Sequence, residues 1–144
     1  MIKKSKIATI LPYKENYTFS KAQAAAIWVN DFYKHSAYRN INYIFGNTNT
    51  KDFLTKNYIN VPITKKKSRF ASTTNEYCDN FIKISKKYNF EIIEIHNRPL
   101  VFNYLKKEIE SKYILYFHND PLSMNGSKTI NERLKLLDEL DKII

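Results

Sequence analysis

Two of the three histidines stand in nearly the same short context, His96-Asn97-Arg98-Pro99 and His118-Asn119-Asp120-Pro121. Histidine can act as a general base or donate a hydrogen bond to phosphate or a sugar hydroxyl. The guanidinium of Arg98 offers a planar fork of donors to an anion. A lone histidine in such a place more often caps a helix or pairs with a loop carbonyl. Because the context is repeated, a site shared by the two histidines is as good an interpretation as two separate structural roles.

Both segments follow an apolar run of strand length, and a third polar segment, Lys14-Glu15-Asn16, follows the first such run. In an open parallel sheet, ligands bind beyond the carboxyl ends of the strands. We therefore expect one cleft with His96 and His118 as catalytic candidates. The candidates for binding a ligand or its phosphate there are Lys14, Glu15, Asn16, Asn97, Arg98, Asn119 and Asp120.

Several other kinds of site are excluded by composition. Gly46 and Gly126 are the only glycines, so neither a dinucleotide fingerprint nor a phosphate-binding P-loop can be written. A serine nucleophile elbow is also missing. The single cysteine, Cys78, lies beside an apolar helical stripe and is predicted to be a core residue rather than a nucleophile. No cluster has metal-ligand spacing, so we predict no metal site.

Runs of strand length alternate with stretches of helical period, which is typical of repeated βα units. Each run is rich in Ile, Val, Tyr or Phe. The pattern predicts an α/β fold with a Rossmann-like open, mostly parallel sheet flanked by helices, as a single domain over 1–144. The predicted strands are 6–11, 41–45, 58–61, 91–95 and 113–117, and Ile143-Ile144 resembles the start of another.

Four helices are predicted between the strands: 21–34, one from about 73, 99–110 and 129–141. Ser20 with Gln23, and Thr129 with Glu132, have capping-box spacing. Pro99 suits a first helical turn because it has no N–H to leave unpaired. The pattern predicts two buried faces, one of Ala22, Ala25, Ala26, Val29 and Phe32, and one of Ile130, Leu134, Leu137 and Leu140.

The chain has 144 residues, of which 43% are hydrophobic, enough for one domain with a real core. One cysteine cannot form an intramolecular disulfide and indicates a reducing compartment or indifference to redox state. No uncharged apolar run approaches the roughly 18 residues that cross a bilayer. The apolar run after the first lysines is too short for a signal peptide. These features predict a cytoplasmic protein.

The net charge of +10 is unevenly distributed. Residues 1–90 hold 16 Lys and Arg against 5 Asp and Glu, whereas residues 91–144 hold 8 against 9. Such a basic field attracts anionic lipid, nucleic acid or a phosphorylated substrate. A solvated loop without a partner is an equally good interpretation of its densest part, which is Lys65, Lys66, Lys67 and Arg69.

Four segments together resemble the N-terminal domain of glycosyltransferase family 4, and the resemblance covers essentially the whole chain. Two are the histidine segments, with Ile93-Glu94-Ile95 before the first and Tyr116-Phe117 before the second. The others are Ile10-Leu11-Pro12-Tyr13-Lys14-Glu15-Asn16-Tyr17 and Ala22-Gln23-Ala24-Ala25-Ala26. One departure is that the family usually has glycine in the first loop or at the start of the next helix.

The resemblance implies a GT-B enzyme, in which two Rossmann-like domains face each other across a cleft. The N-terminal half binds the acceptor, often a lipid-linked or lipopolysaccharide sugar at the inner membrane face. The C-terminal half, which the resemblance does not cover, binds the nucleotide-sugar donor. His96 and His118 match the family's two strand-end histidines, and Lys14, Glu15 and Asn16 match its first-strand loop along the phosphates. We expect no transfer by this domain alone.

The resemblance thus implies the acceptor-binding half of a retaining hexosyltransferase of lipopolysaccharide or polysaccharide synthesis, without a cofactor of its own. Its predicted partners are a glycan or lipid-linked acceptor, a donor-binding domain and an anionic membrane surface, with peripheral attachment. The alternative is a small basic nucleic-acid-binding module that uses Lys65–Arg69 with Phe70 and Tyr77 as a stacking surface.

Overall fold

The computed structural model describes residues 5–64 and 72–144 and has six parallel strands in one open sheet. The strand order is β3-β2-β1-β4-β5-β6. The predicted Rossmann-like α/β class is confirmed. The strands are β1 Lys6–Ile10, β2 Asn42–Gly46, β3 Tyr58–Asn60, β4 Phe90–His96, β5 Lys112–Tyr116 and β6 Lys142–Ile143, and the helices are α1 Ala24–His35, α2 Thr73–Ser85, α3 Pro99–Glu108 and α4 Ile130–Glu139.

The helices cover two faces of the sheet, and each face has its own core. Parallel crossovers are right-handed, so α1, which leads toward one edge, lies opposite to the helices that lead toward the other. Buried residues of α2, α3 and α4 pack in one cluster with Ala8, Ile93 and Leu115. Ala26 and Val29 of α1 pack in a second cluster. This double cover is what an all-parallel sheet requires.

The strand order reverses between β1 and β4. From β1 the chain passes to β2 and β3 on one side, and from β4 to β5 and β6 on the other. The loops after β1 and β4 therefore leave the sheet side by side in opposite directions. This switch point is where open α/β sheets form a crevice for ligands.

The predicted start of α1 is wrong. The helix begins at Ala24, and its N-cap, Gln23, makes no side-chain capping bond, so the capping box of Ser20 and Gln23 does not form. The Glu15 carboxylate from the loop after β1 accepts a hydrogen bond from Ala26 N at 2.9 Å instead. A long-range contact thus replaces the local cap. Phe32, predicted to be buried, is 48% exposed.

The capping box of Thr129 and Glu132 is confirmed, but the predicted buried face of α4 is wrong. Leu136 is 2% exposed and packs in the core, with the partly buried Leu140 beside it. Ile130, Leu134 and Leu137 are all more than half exposed. The helix carries a second apolar stripe, through Leu136 and Leu140, and this stripe is the one that packs in the core.

Cys78 is fully buried and free, as predicted. Burial raises the pKa of its thiol to about 12, which removes it as a nucleophile near neutral pH. None of the helices in 5–64 and 72–144 is long and apolar enough to cross a bilayer.

Candidate functional site

The two histidines meet at the carboxyl ends of β4 and β5. His96 is the last residue of β4 and is in register with Tyr116, the last residue of β5. His118 follows two residues later, and its Nε2 lies 2.7 Å from Nδ1 of His96. The structure thus brings the two predicted residues into direct contact.

Asn97 holds this corner in place. Its backbone N donates to the Tyr116 carbonyl at 2.8 Å, and its side-chain Oδ1 accepts from the backbone N–H of His118 at 2.7 Å. Its φ of 54° lies in the left-handed region, which asparagine tolerates better than most residues. Asn97 therefore both ends β4 and fixes the backbone of His118.

The imidazoles are enclosed by aromatic rings. His96 stacks on Tyr116 with ring centroids 4.6 Å apart, and Trp28 of α1 contacts both histidines at 5.7 and 5.3 Å. His96 is 1% exposed, and burial, together with the neighbouring His118, lowers its pKa to about 3. Burial also lowers the pKa of the half-buried His118. Both rings are therefore neutral at pH 7.

A polar pocket of about 370 Å³ opens at the switch point between β1 and β4. Lys14, Arg98 and Lys128 bring positive charge to it. No carboxylate is among the lining residues that the structure describes. The arrangement suits an anion that also carries hydroxyl groups. The rest of the lining is Tyr13, Thr74, Asn97, Pro99, Leu100, Asn119, Ser123, Met124 and Asn125.

Arg98 is the most constrained of the three cations. Its guanidinium lies over the Tyr13 ring, 5.6 Å from the centroid, and its Nη1 donates to the Asn97 carbonyl at 3.1 Å. Its Nε is buried and has no hydrogen-bond partner within the described chain. A half-buried guanidinium with an unsatisfied donor beside a pocket can bind an anion with little further ordering.

Lys128 reaches the pocket through a tight turn at Gly126. This glycine has a φ of +92°, and an added Cβ would lie 3.1 Å from side-chain atoms of Pro99 and Leu100. The turn can therefore pack on the start of α3 only with glycine at this position. Asn125 and Lys128 flank it and line the pocket.

Four of the predicted binding residues line the pocket: Lys14, Asn97, Arg98 and Asn119. Three do not. Glu15 lies at the start of α1, where burial raises its pKa while the Ala26 N–H and Arg98 oppose that shift. Asn16 forms a backbone bridge with Ala22, and Asp120 Oδ1 accepts from Leu122 N.

The Glu15 contact has a consequence for phosphate binding. Its carboxylate occupies the amino terminus of α1, the position at which Rossmann-like folds often hold a phosphate. The donors that remain available to an anion are therefore those of the pocket beside α3. The predicted anion patch of Lys65, Lys66, Lys67 and Arg69 lies outside the described residues.

The sequence reasoning missed Trp28, Tyr13, Lys128, Asn125 and Ser123. Trp28 is the only tryptophan of the chain, which is a weak indication that its position matters. Asn125-Gly126 is a turn signal, and it could have indicated that the chain folds back there. No local pattern shows that this turn faces Tyr13 across the pocket.

A second cavity, of about 380 Å³, lies near the start of β1. Its lining includes Phe32 and Ile92, and Glu91 and Glu94 contribute carboxyl groups. Burial raises the pKa of Glu94, whose Oε2 accepts from Thr9 Oγ1 at 2.8 Å. Its walls are largely apolar and carry two carboxyl groups against one cation, Lys6, so this cavity suits an anion less well than the polar pocket does.

No protein-family model matches the chain, and no curated protein matches it significantly in sequence. Within the described residues, no group of three or more His, Cys, Asp or Glu side chains is arranged to hold a metal ion. The pocket and the histidine pair are therefore the features of this protein that bear on its function.

Proposed function

We propose that this domain binds an anionic sugar acceptor in the polar pocket and acts as the acceptor-side half of a retaining GT-B glycosyltransferase. The nucleotide-sugar donor is assigned to a second domain of the kind that the resemblance implies. The observation that carries the proposal is the pocket at the switch point, with Lys14, Arg98 and Lys128 and no described carboxylate in its lining.

The side chains that line the pocket suit a phosphorylated or otherwise anionic glycan as the ligand. The cations suit the charged group. The side chains of Asn97, Asn119, Asn125 and Ser123 offer both donors and acceptors, which sugar hydroxyls require. Neither histidine is among the residues that line the pocket, but the chain neighbours of the pair, Asn97 and Asn119, both line it, so the pair borders the pocket.

Titration calorimetry with a hexose 6-phosphate and with the neutral hexose tests this proposal. We expect the phosphate to bind and the neutral sugar to bind much more weakly. Arg98→Gln removes a charge-assisted interaction of about 1.5–3 kcal/mol, so affinity falls about 10- to 100-fold. Arg39→Gln is the matched control, because Arg39 is exposed and does not line the pocket.

The same titration is made with single-stranded oligonucleotides at the same ionic strength. The proposal fails if the oligonucleotide binds tightly while the hexose 6-phosphate does not. It also fails if Arg98→Gln and Arg39→Gln weaken phosphate binding equally, because the affinity then comes from net charge and not from the pocket.

A further inference from the structure

The contact between the two imidazoles restricts where their protons lie. A neutral imidazole carries one N–H donor and one bare nitrogen acceptor. At 2.7 Å, Nδ1 of His96 and Nε2 of His118 form one hydrogen bond, so one ring donates and the other accepts. Only two neutral arrangements satisfy this condition, and they present opposite groups at the free Nδ1 of His118.

The protonated pair shares its hydrogen bond with only one of the two neutral arrangements. His96 is 1% exposed and His118 is half-buried, so a positive charge costs less on His118. A charged His118 carries a proton on both nitrogens and must donate from Nε2 to Nδ1 of His96. The neutral pair in which His118 Nε2 donates has this same hydrogen bond. It becomes the charged pair when His118 Nδ1 gains a proton, and nothing else has to rearrange.

The other nitrogen of His96 lies in an apolar setting. Its Nε2 is buried and has no hydrogen-bond partner among the described residues. The rings of Tyr116 and Trp28 offer it no more than weak contacts. An unsatisfied buried polar atom is destabilising. An apolar residue would avoid that cost, but it would lack the acceptor that His96 presents to His118.

We propose that His96 is a positioning residue, whose Nδ1 accepts a hydrogen bond from Nε2–H of His118 and thereby leaves Nδ1 of His118 bare, beside the pocket residue Asn119, for a ligand that extends beyond the pocket lining. Asn97 Oδ1 fixes the backbone of His118 at the same time. Neutral His118 then accepts from a sugar hydroxyl, and protonated His118 donates to a phosphate oxygen. The identity of that ligand rests on the proposed function, whereas the orientation of the pair does not.

Long-range ¹H–¹⁵N NMR spectroscopy of the ligand-free protein at neutral to mildly basic pH reads the tautomer directly. The chain has three histidines, so His35→Gln and the variants below assign all the ring signals. We expect a protonated Nε2 and a bare Nδ1 on His118. A protonated Nδ1 with a bare Nε2 would overturn the proposal.

Two substitutions test whether His96 imposes this tautomer. In His96→Asn the amide oxygen can replace Nδ1 as the acceptor, whereas His96→Phe keeps a ring and removes the acceptor. We expect His118 to remain in the Nε2–H form in His96→Asn and to become a mixture of tautomers in His96→Phe. An unchanged tautomer in a folded His96→Phe protein would show that His96 does not position His118.

Addition of the hexose 6-phosphate separates this proposal from the proposed function. We expect the His118 Nδ1 signal to shift in the wild-type protein. The expected tautomer without any such shift supports the role of His96 and contradicts the assigned ligand. The reverse tautomer together with normal sugar phosphate binding contradicts the role of His96 and leaves the proposed function standing.

Discussion

The buried His96 makes the stability of this domain depend on pH in a calculable way. In the unfolded chain its pKa is near 6.5, whereas burial beside His118 lowers it to about 3 in the folded protein. Between these values the unfolded state binds a proton that the native state does not. The free energy of unfolding therefore falls as the pH decreases below 6.5.

The magnitude follows from the two pKa values. One pKa unit corresponds to about 1.4 kcal/mol, so lowering the pH from about 8 to about 5 removes about 2 kcal/mol of stability through His96 alone. Domains are stable by about 5–15 kcal/mol, so this loss is large enough to measure. His118 adds a loss of the same sign, because burial also lowers its pKa.

Buried carboxyl groups act in the opposite direction. Burial raises the pKa of Glu15 and Glu94, so the native state binds their protons more readily than the unfolded state does. Through these two groups, a lower pH therefore stabilises the native state. The measurement must therefore compare two variants over the same pH range. His96→Phe retains both carboxyl groups and removes the titrating ring.

Urea unfolding followed by far-UV circular dichroism provides the free energies. Trp28 fluorescence is unsuitable as the probe, because the indole contacts both imidazoles. We expect the wild type to lose about 2 kcal/mol more than His96→Phe between about pH 8 and about pH 5. His35→Gln, which changes an exposed histidine, should behave like the wild type. Equal pH dependence in wild type and His96→Phe would refute the reasoning.

Two further predictions concern α4 and the basic segment. Leu136→Ala should reduce the free energy of unfolding by about 2–5 kcal/mol, whereas Leu134→Ala on the exposed stripe should change it by less than about 1 kcal/mol in urea unfolding; similar costs for both would contradict the packing of α4. The basic segment should make vesicles that contain anionic lipid bind the domain better than neutral vesicles do, and in co-sedimentation added salt should weaken that binding. Vesicle binding should also fall when the charges of the segment are removed by substitution with Gln at Lys65, Lys66, Lys67 and Arg69. Tight oligonucleotide binding without vesicle binding would favour a nucleic-acid partner.

Much of the fold could be predicted from local patterns. The five complete predicted strands agree with β1 to β5 to within one residue at each end, and Ile143 belongs to β6. Short β-branched and aromatic runs between helical stretches leave few other ways to bury apolar side chains. Pro99 at the start of α3 and the capping box of Thr129 are local signals that the structure confirms.

The site was only partly predictable. The position of a residue just after a strand is a local property, and it singled out His96, His118 and Arg98 as candidates. Parallel strands bring their carboxyl ends to one edge of the sheet, so the sequence was sufficient to expect that such residues meet.

Tertiary structure decided the rest, because the partners come from distant parts of the chain. Glu15, predicted to bind phosphate, does not line the pocket, because its carboxylate accepts a hydrogen bond from Ala26 N at the start of α1. Lys128 joins the pocket because the turn at Gly126 packs on the start of α3. On α4, the sequence favours the stripe of Ile130, Leu134 and Leu137, and only the packing of the helix in the core determines that Leu136 is buried instead. These outcomes depend on how elements pack, which local spacing does not encode.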